Sequence, residues 1–172
     1  LSPGAATATQ RYLKESGLDL DAVSDAKVNI SGCPNSCGVH HASDLGFFGK
    51  VKRVGDDVIP SYNVVVGAKL RDGDTELAKR VAEIPSRNLP DLVKETFKIY
   101  IPKKDKFNGF NDYVRSEEGQ KDIIDIAATF KDIPSMSEDF DFYRDWGNDK
   151  AFSVAEKGKG ECSAGLFDLI EM

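Results

Sequence analysis

Two cysteines carry the clearest chemistry in this sequence. Cys33 and Cys37 lie in Ser31-Gly32-Cys33-Pro34-Asn35-Ser36-Cys37-Gly38, a C-x3-C spacing inside a segment with two glycines and a proline. Thiolates are the ligands of iron–sulfur clusters, and a tightly turned backbone lets two of them reach two irons of one cubane. Gly32, Pro34 and Gly38 are residue types that make such a turn. Turned backbone also aims N–H groups at cluster sulfides and offsets their charge. The spacing alone leaves other readings open. The pair could be two buried, reduced cysteines. A structural zinc site would need a second spaced pair of ligands, and His40 and His41 are adjacent. A disulfide across so short a loop is geometrically possible.

Other residues nearby invite the same weighing. His40 or His41 could relay protons beside a redox centre, or simply pack beneath the turn or lie exposed on it. Asp44 reads as a turn or cap residue. Lys50, Lys52 and Arg53 form the basic cluster closest to the cysteines, either a solvated strand face or a carboxylate clamp. Cys162, in Gly158-Lys159-Gly160-Glu161-Cys162, enters a short final helix over 164–170. A helix N-terminus favours a thiolate and would suit a redox relay; a buried inert cysteine is the plain alternative.

The totals bound what surrounds these residues. The chain has 172 residues, 40% hydrophobic and 30% charged, the balance of an ordinary globular domain. Its net charge of −6 argues against nucleic-acid binding, which wants clustered Lys and Arg. No apolar run approaches the ~18 residues of a membrane span, and no signal peptide is visible. Three cysteines, two of them close together, do not fit a secreted disulfide framework; metal or redox chemistry in a reducing cytoplasm fits better. The first residue is Leu and the last helix is short, so the expectation is a segment of a larger protein.

The positioning elements follow from pattern. Residues 5–16 read as a helix started by Ser2-Pro3 and stopped by Gly17. Lys27–Ser31 alternates as a strand, Gly46–Val54 is extended, and Tyr62–Val66 is the strongest strand. Thr75–Ala82 reads as a short helix, with Ile84-Pro85 a short extended link. Asn88 to about Lys103 is a longer helix with Leu89, Leu92, Val93, Phe97 and Tyr100 on one stripe. Phe107–Glu117 and Lys121–Phe130 are also helical. Asp132–Asp149 is acidic and aromatic without a period, and Ala151–Val154 reads as a short strand. The expected fold is α+β: a small mixed or antiparallel sheet with helices on one face and a compact C-terminal appendage. The division falls at 1–125 and 126–172. The appendage's aromatics are expected to dock on the helices near Phe107–Phe130.

The run Ser31 to Gly49, Ser-Gly-Cys-Pro-Asn-Ser-Cys-Gly-Val-His-His-Ala-Ser-Asp-Leu-Gly-Phe-Phe-Gly, closely resembles the second cluster-binding segment of the siroheme-dependent nitrite/sulfite reductases. Val28-Asn29-Ile30 before it and Tyr62-Asn63-Val64-Val65-Val66-Gly67 after it match as well. The Phe107-Asn108-Gly109-Phe110 helix looks like that family's closing helix, so the resemblance covers about residues 1–125. It implies a fragment of an oxidoreductase that reduces nitrite or sulfite by six electrons at a siroheme–4Fe–4S centre, with a ferredoxin or flavoprotein donor, in the cytoplasm. It implies that Cys33 and Cys37 are the third and fourth cluster ligands and that Cys37 also bridges to the siroheme iron. Asn35, Gly32 and Gly38 are implied to lie against the cofactor. The family's first cysteine pair and its basic anion-gripping residues lie upstream of a segment like Leu1–Gln10, so the resemblance implies half a site, inactive alone. The rival readings are a cofactor-free structural or interaction domain that keeps the fold, and a ferredoxin-like electron-transfer module.

Overall fold

A computed structural model describes residues 2–153. Cys162 and the final helix read from the sequence lie outside the described residues, as does Val154. Four strands form one sheet in the order β1 (Val28–Ser31), β2 (Leu45–Val54), β3 (Asp57–Val66) and β4 (Lys79–Pro85). β1 runs parallel to β2, and the β2–β3 and β3–β4 pairs are antiparallel. The sheet is therefore mixed, as the sequence suggests.

Register assigns each side chain to a face. Val28 and Ile30 align with Leu45 and Phe47, which in turn oppose Val66 and Val64. With Tyr62 and Ile84 they form the apolar face. Four helices bury it: α1 (Ser2–Glu15), α2 (Leu89–Tyr100), α3 (Phe110–Arg115) and α4 (Glu117–Ala128). The α2 stripe Leu89, Leu92, Val93, Phe97 and Tyr100 is buried as its spacing predicts. Phe97 and Tyr100 meet Phe110 edge-on at centroid distances of 5.4 and 5.2 Å, a favoured aromatic geometry.

Element ends differ from the sequence reading for local reasons. α2 stops at Tyr100 and tightens into a 3₁₀ turn over Ile101–Lys106, because Pro102 has no N–H to continue the helical ladder. α3 starts at Phe110, after Gly109 at φ 93°; its first amide donates to Asp25 Oδ2 at 2.7 Å. α4 starts earlier than Lys121 because Ser116 Oγ caps the Gly119 amide at 3.0 Å, with Glu117 and Glu118 in the first turn.

The reading of Thr75–Ala82 as a helix is corrected. Lys79–Pro85 is β4, and Glu76 bridges Lys69 in an antiparallel pair. From Ile59 onward β3 is buried, so its backbone groups on the open side need a partner. Pairing along β3 outweighs a few tenths of a kcal/mol of helix propensity per residue.

The aromatic segment docks, but at a different place. Trp146 Nε1 donates to the Ser86 carbonyl at 3.1 Å, Arg87 stacks over the Trp146 ring at 4.4 Å and pairs with Asp141. Trp146 packs on the main core and Tyr143 is buried. These contacts lie at the turn Ser86–Asn88 rather than on the helices near Phe107–Phe130. Phe140 stays exposed, and Ala151 forms a single bridge with Arg144.

Candidate metal and cofactor site

The second face of the sheet is polar. Asn29 and Ser31 align with Gly46 and Phe48, which oppose Val65 and Asn63; Lys50 opposes Ser61, and Glu83 follows on β4. Lys50 Nζ pairs with Glu83 at 2.8 Å, Lys52 lies 3.9 Å from the same carboxylate, and Arg80 donates to Asn63 Oδ1 at 3.2 Å. Two of the three basic residues read as a possible anion clamp are thus engaged with β4.

The cysteine segment leaves the end of β1 and returns over this face. Cys33 is half-buried and Cys37 is exposed, and neither is in a disulfide. Gly32 and Gly38 are half-buried and Asn35 is exposed. The loop then enters a 3₁₀ turn, His40–Ala42, that lies on β2. Close approach is possible because Gly46 has no side chain: a Cβ there would stand 2.4 Å from the His40 carbonyl oxygen and 2.7 Å from Val65 Cγ2. His40 is fully buried and stacks on Phe48 with centroids 4.7 Å apart. Burial, followed by the neighbouring His41, holds the His40 pKa down at about 4, so the ring is neutral at pH 7. Of the two readings given to this histidine, packing beneath the turn matches its burial.

Side chains of β1 tie the loop down. Gly38 N–H donates to Ser31 Oγ at 3.1 Å, Asn29 Nδ2 donates to the Gly38 carbonyl at 2.9 Å, and His40 Nδ1 lies 2.7 Å from Ser31 Oγ. Gly38 meets β1 directly: a Cβ at this position would sit 2.3 Å from the Ile30 carbonyl oxygen. Its glycine is required by packing against the strand. The backbone is left-handed on either side of the Cys37-Gly38 pair, at Ser36 (φ 59°) and Val39 (φ 57°). For a β-branched residue this costs on the order of 1–3 kcal/mol and persists only where the surroundings enforce it.

Asp44 has the structural role expected of it. Its carboxylate accepts from the Lys27 amide at 2.8 Å and from Asn111 Nδ2 at 2.6 Å, joining the start of β1 to α3. The sequence reading gave no role to Ser31 or to Asn29. Their signal was present: in Val28-Asn29-Ile30-Ser31 the alternation sets both polar residues on the face opposite Val28 and Ile30.

The donor chemistry can be tested against an iron–sulfur cluster. Two thiols on an open loop, with glycines beside both, suit two corners of a cubane. Among the described residues no group of three or more His, Cys, Asp or Glu side chains could hold a metal ion, so these residues do not complete a site. No helix among them is long and apolar enough to cross a membrane.

Comparison with known proteins agrees with this geometry. The ferredoxin–nitrite reductase of Synechococcus elongatus is 27% identical over 78 residues, 45% of this chain and 15% of that protein. The NADPH sulfite reductase hemoprotein beta-component of Alteromonas mediterranea is 28% identical over 131 residues, 76% of this chain and 21% of that protein. The solved structure of the Mycobacterium tuberculosis NirA protein superposes with a TM-score of 0.54 at 25% identity, over 69% of this chain and 22% of that one. The chain therefore spans a small part of the length of the relatives it matches. Residues 24–112, which include the cysteine loop and the whole sheet, match the nitrite and sulphite reductase 4Fe-4S domain, and the chain belongs to that family.

Proposed function

We propose that this chain supplies two thiolate ligands, Cys33 and Cys37, to a 4Fe–4S cluster in a protein that reduces nitrite or sulfite, and that Cys37 is also the proximal ligand of siroheme. The observation that carries the reading is a pair of cysteines outside any disulfide, one half-buried and one exposed, on a loop held to the polar face of the sheet. When bound, cluster and siroheme supply the electron storage and the anion-binding iron that this reduction needs. The chain's own residues hold and orient. β1 fixes the loop through Asn29 and Ser31, Gly38 lets the loop lie against β1, and in this reading Gly32, Asn35 and the Gly38 backbone lie against the cofactor. His40, neutral and buried, is a packing group in this reading. The described residues offer two thiolates where a cubane takes four, and in this reading the chain is inactive alone. Residues 1–125 belong to the reductase domain, and 126–172 form an appendage. The electron donor is a ferredoxin or a flavoprotein, the location is the cytoplasm, and nucleic acid is not a partner.

Visible absorption and cysteine substitution in the whole protein test this. Siroheme absorbs where a plain ferredoxin does not, and a cofactor-free module is colourless. Cys33→Ser should alter the cluster spectrum; Cys37→Ser should alter both the cluster and the siroheme spectra. Normal siroheme spectra and full turnover in Cys37→Ser would remove the bridging assignment. Stoichiometric four-iron uptake by the 172 residues alone would overturn the claim that they are half a site.

A further inference from the structure

The bonds that hold the cysteine turn converge on one residue, and that residue is not a cysteine. Gly38 gives its N–H to Ser31 Oγ at 3.1 Å and receives Asn29 Nδ2 on its carbonyl at 2.9 Å. It directly follows Cys37, and the backbone before and after this pair is left-handed. Such backbone relaxes unless something holds it.

Ser31 is itself held. Its hydroxyl carries one proton and two lone pairs. One lone pair takes the Gly38 N–H, and the hydroxyl pairs with His40 Nδ1 at 2.7 Å through its proton or its second lone pair. The other ring nitrogen is Nε2. That nitrogen is buried without a partner among the described residues, a costly state for a polar atom. A phenyl ring would fill the same place against Phe48 with no unsatisfied atom. The difference between the two rings is Nδ1, and Nδ1 meets Ser31.

We infer that Ser31 and His40 are positioning residues for Cys37, acting through the Gly38 amide to keep the thiolate in the geometry a cluster ligand needs. This rests on the assignment of Cys37 as a ligand. Both residues act on the backbone that carries the thiol. His40 bonds to Ser31, Ser31 accepts from Gly38, and the strained turn cannot unwind while both bonds stand.

Two substitutions of opposite kind separate this role from space-filling. His40→Asn places a polar atom where Nδ1 stood but loses most of the ring. His40→Phe keeps the ring and loses the nitrogen. Amide hydrogen exchange at Gly38, measured by NMR on this chain, reads the clamp without any cofactor. His40→Phe and Ser31→Ala should each lower Gly38 protection about tenfold, the value of one net hydrogen bond, with Val64 in β3 unchanged as internal reference. His40→Asn should stay within about threefold of the parent. The inference is overturned if His40→Phe keeps Gly38 protected while His40→Asn loses it. It is equally overturned if Ser31→Ala leaves Gly38 protection intact, a check available even where a His40 variant fails to fold. In the cofactor-loaded whole protein, His40→Phe should also shift the cluster midpoint potential and His40→Asn should not; equal potentials in the two variants would count against positioning. Should the unsubstituted whole protein take up no cluster, the ligand assignment fails, while Gly38 exchange still decides whether the clamp exists.

Discussion

On one face of the sheet, Phe47, Tyr62, Val64 and Ile84 lie fully or almost fully buried beneath four helices. On the other, Asn29, Ser31, Lys50, Asn63 and Glu83 alternate along the same strands, interrupted by a small apolar cluster of Phe48, Val65, Ala68 and Ala78 and by buried Ile59. The first face is continuous hydrocarbon, and its contribution to stability scales with area removed from water. The second is held by directed bonds between few atoms, where one misplaced group is felt. A sheet with this division can lose contacts on the polar face without unfolding, because its stability is lodged on the other. That is a suitable support for the loop that carries the two cysteines.

The largest expected effect belongs to the helix face. Phe110→Ala removes a fully buried ring that touches Phe97, Tyr100 and Tyr113. It should cost about 3–5 kcal/mol, measured by urea unfolding. A loss under about 1 kcal/mol would break the claim that stability resides there.

Gly38→Ala is the sharpest test of the second face. Its Cβ would approach the Ile30 carbonyl oxygen to 2.3 Å and Ser31 Oγ to 2.8 Å, so the loop must lift from β1. The expected cost is about 1–3 kcal/mol. It should come with loss of Gly38 and Val39 amide protection and unchanged exchange in β3, read by hydrogen exchange.

His40 links the two kinds of stability through pH. Its folded-state pKa of about 4 lies below the ordinary value of 6.5. Between those values the unfolded chain binds the proton and the folded one does not, so stability falls as pH drops from about 6.5 towards 4. The loss should be about 3 kcal/mol by pH 4. Unfolding free energies measured across pH 4 to 7 should show this component in the parent chain and not in His40→Phe. Identical pH profiles would mean that the ring titrates as if in water.

The smallest effects should come from the groups nearest the proposed chemistry. Lys50–Glu83 is partly exposed, and Glu83→Gln should cost no more than about 1 kcal/mol. Cys37→Ser, at an exposed position, should change unfolding free energy by no more than about 0.5 kcal/mol. A larger loss from Cys37→Ser would show that the thiol is a packing group, and the separation between the two faces would not hold.

Much of this arrangement is legible in the residues themselves. The C-x3-C segment with its glycines marks the loop, the stripe Leu89, Leu92, Val93, Phe97 and Tyr100 marks α2, and β-branched Tyr62–Val66 marks the centre of the sheet. In each the signal is local: residue type or spacing within a turn or two decides the outcome. Lys79–Pro85 is not legible in this way, because it is a strand only by virtue of the open edge of β3 beside it. The resting place of Trp146 is not legible either, since the carbonyl of Ser86 that receives its N–H is 60 positions away in sequence.

For the site the same division holds. Sequence alone determined which atoms could be ligands and that the loop between them turns tightly, since a thiol and a glycine carry those properties wherever they stand. Only the tertiary structure decided that Gly38 must be glycine because of the Ile30 carbonyl, and that His40 is buried against Phe48. It alone joined Ser31 to both of them. Those facts depend on β1 lying parallel to β2 and on Gly46 letting the turn descend onto the sheet, and contacts between separate segments have no signature within any one of them.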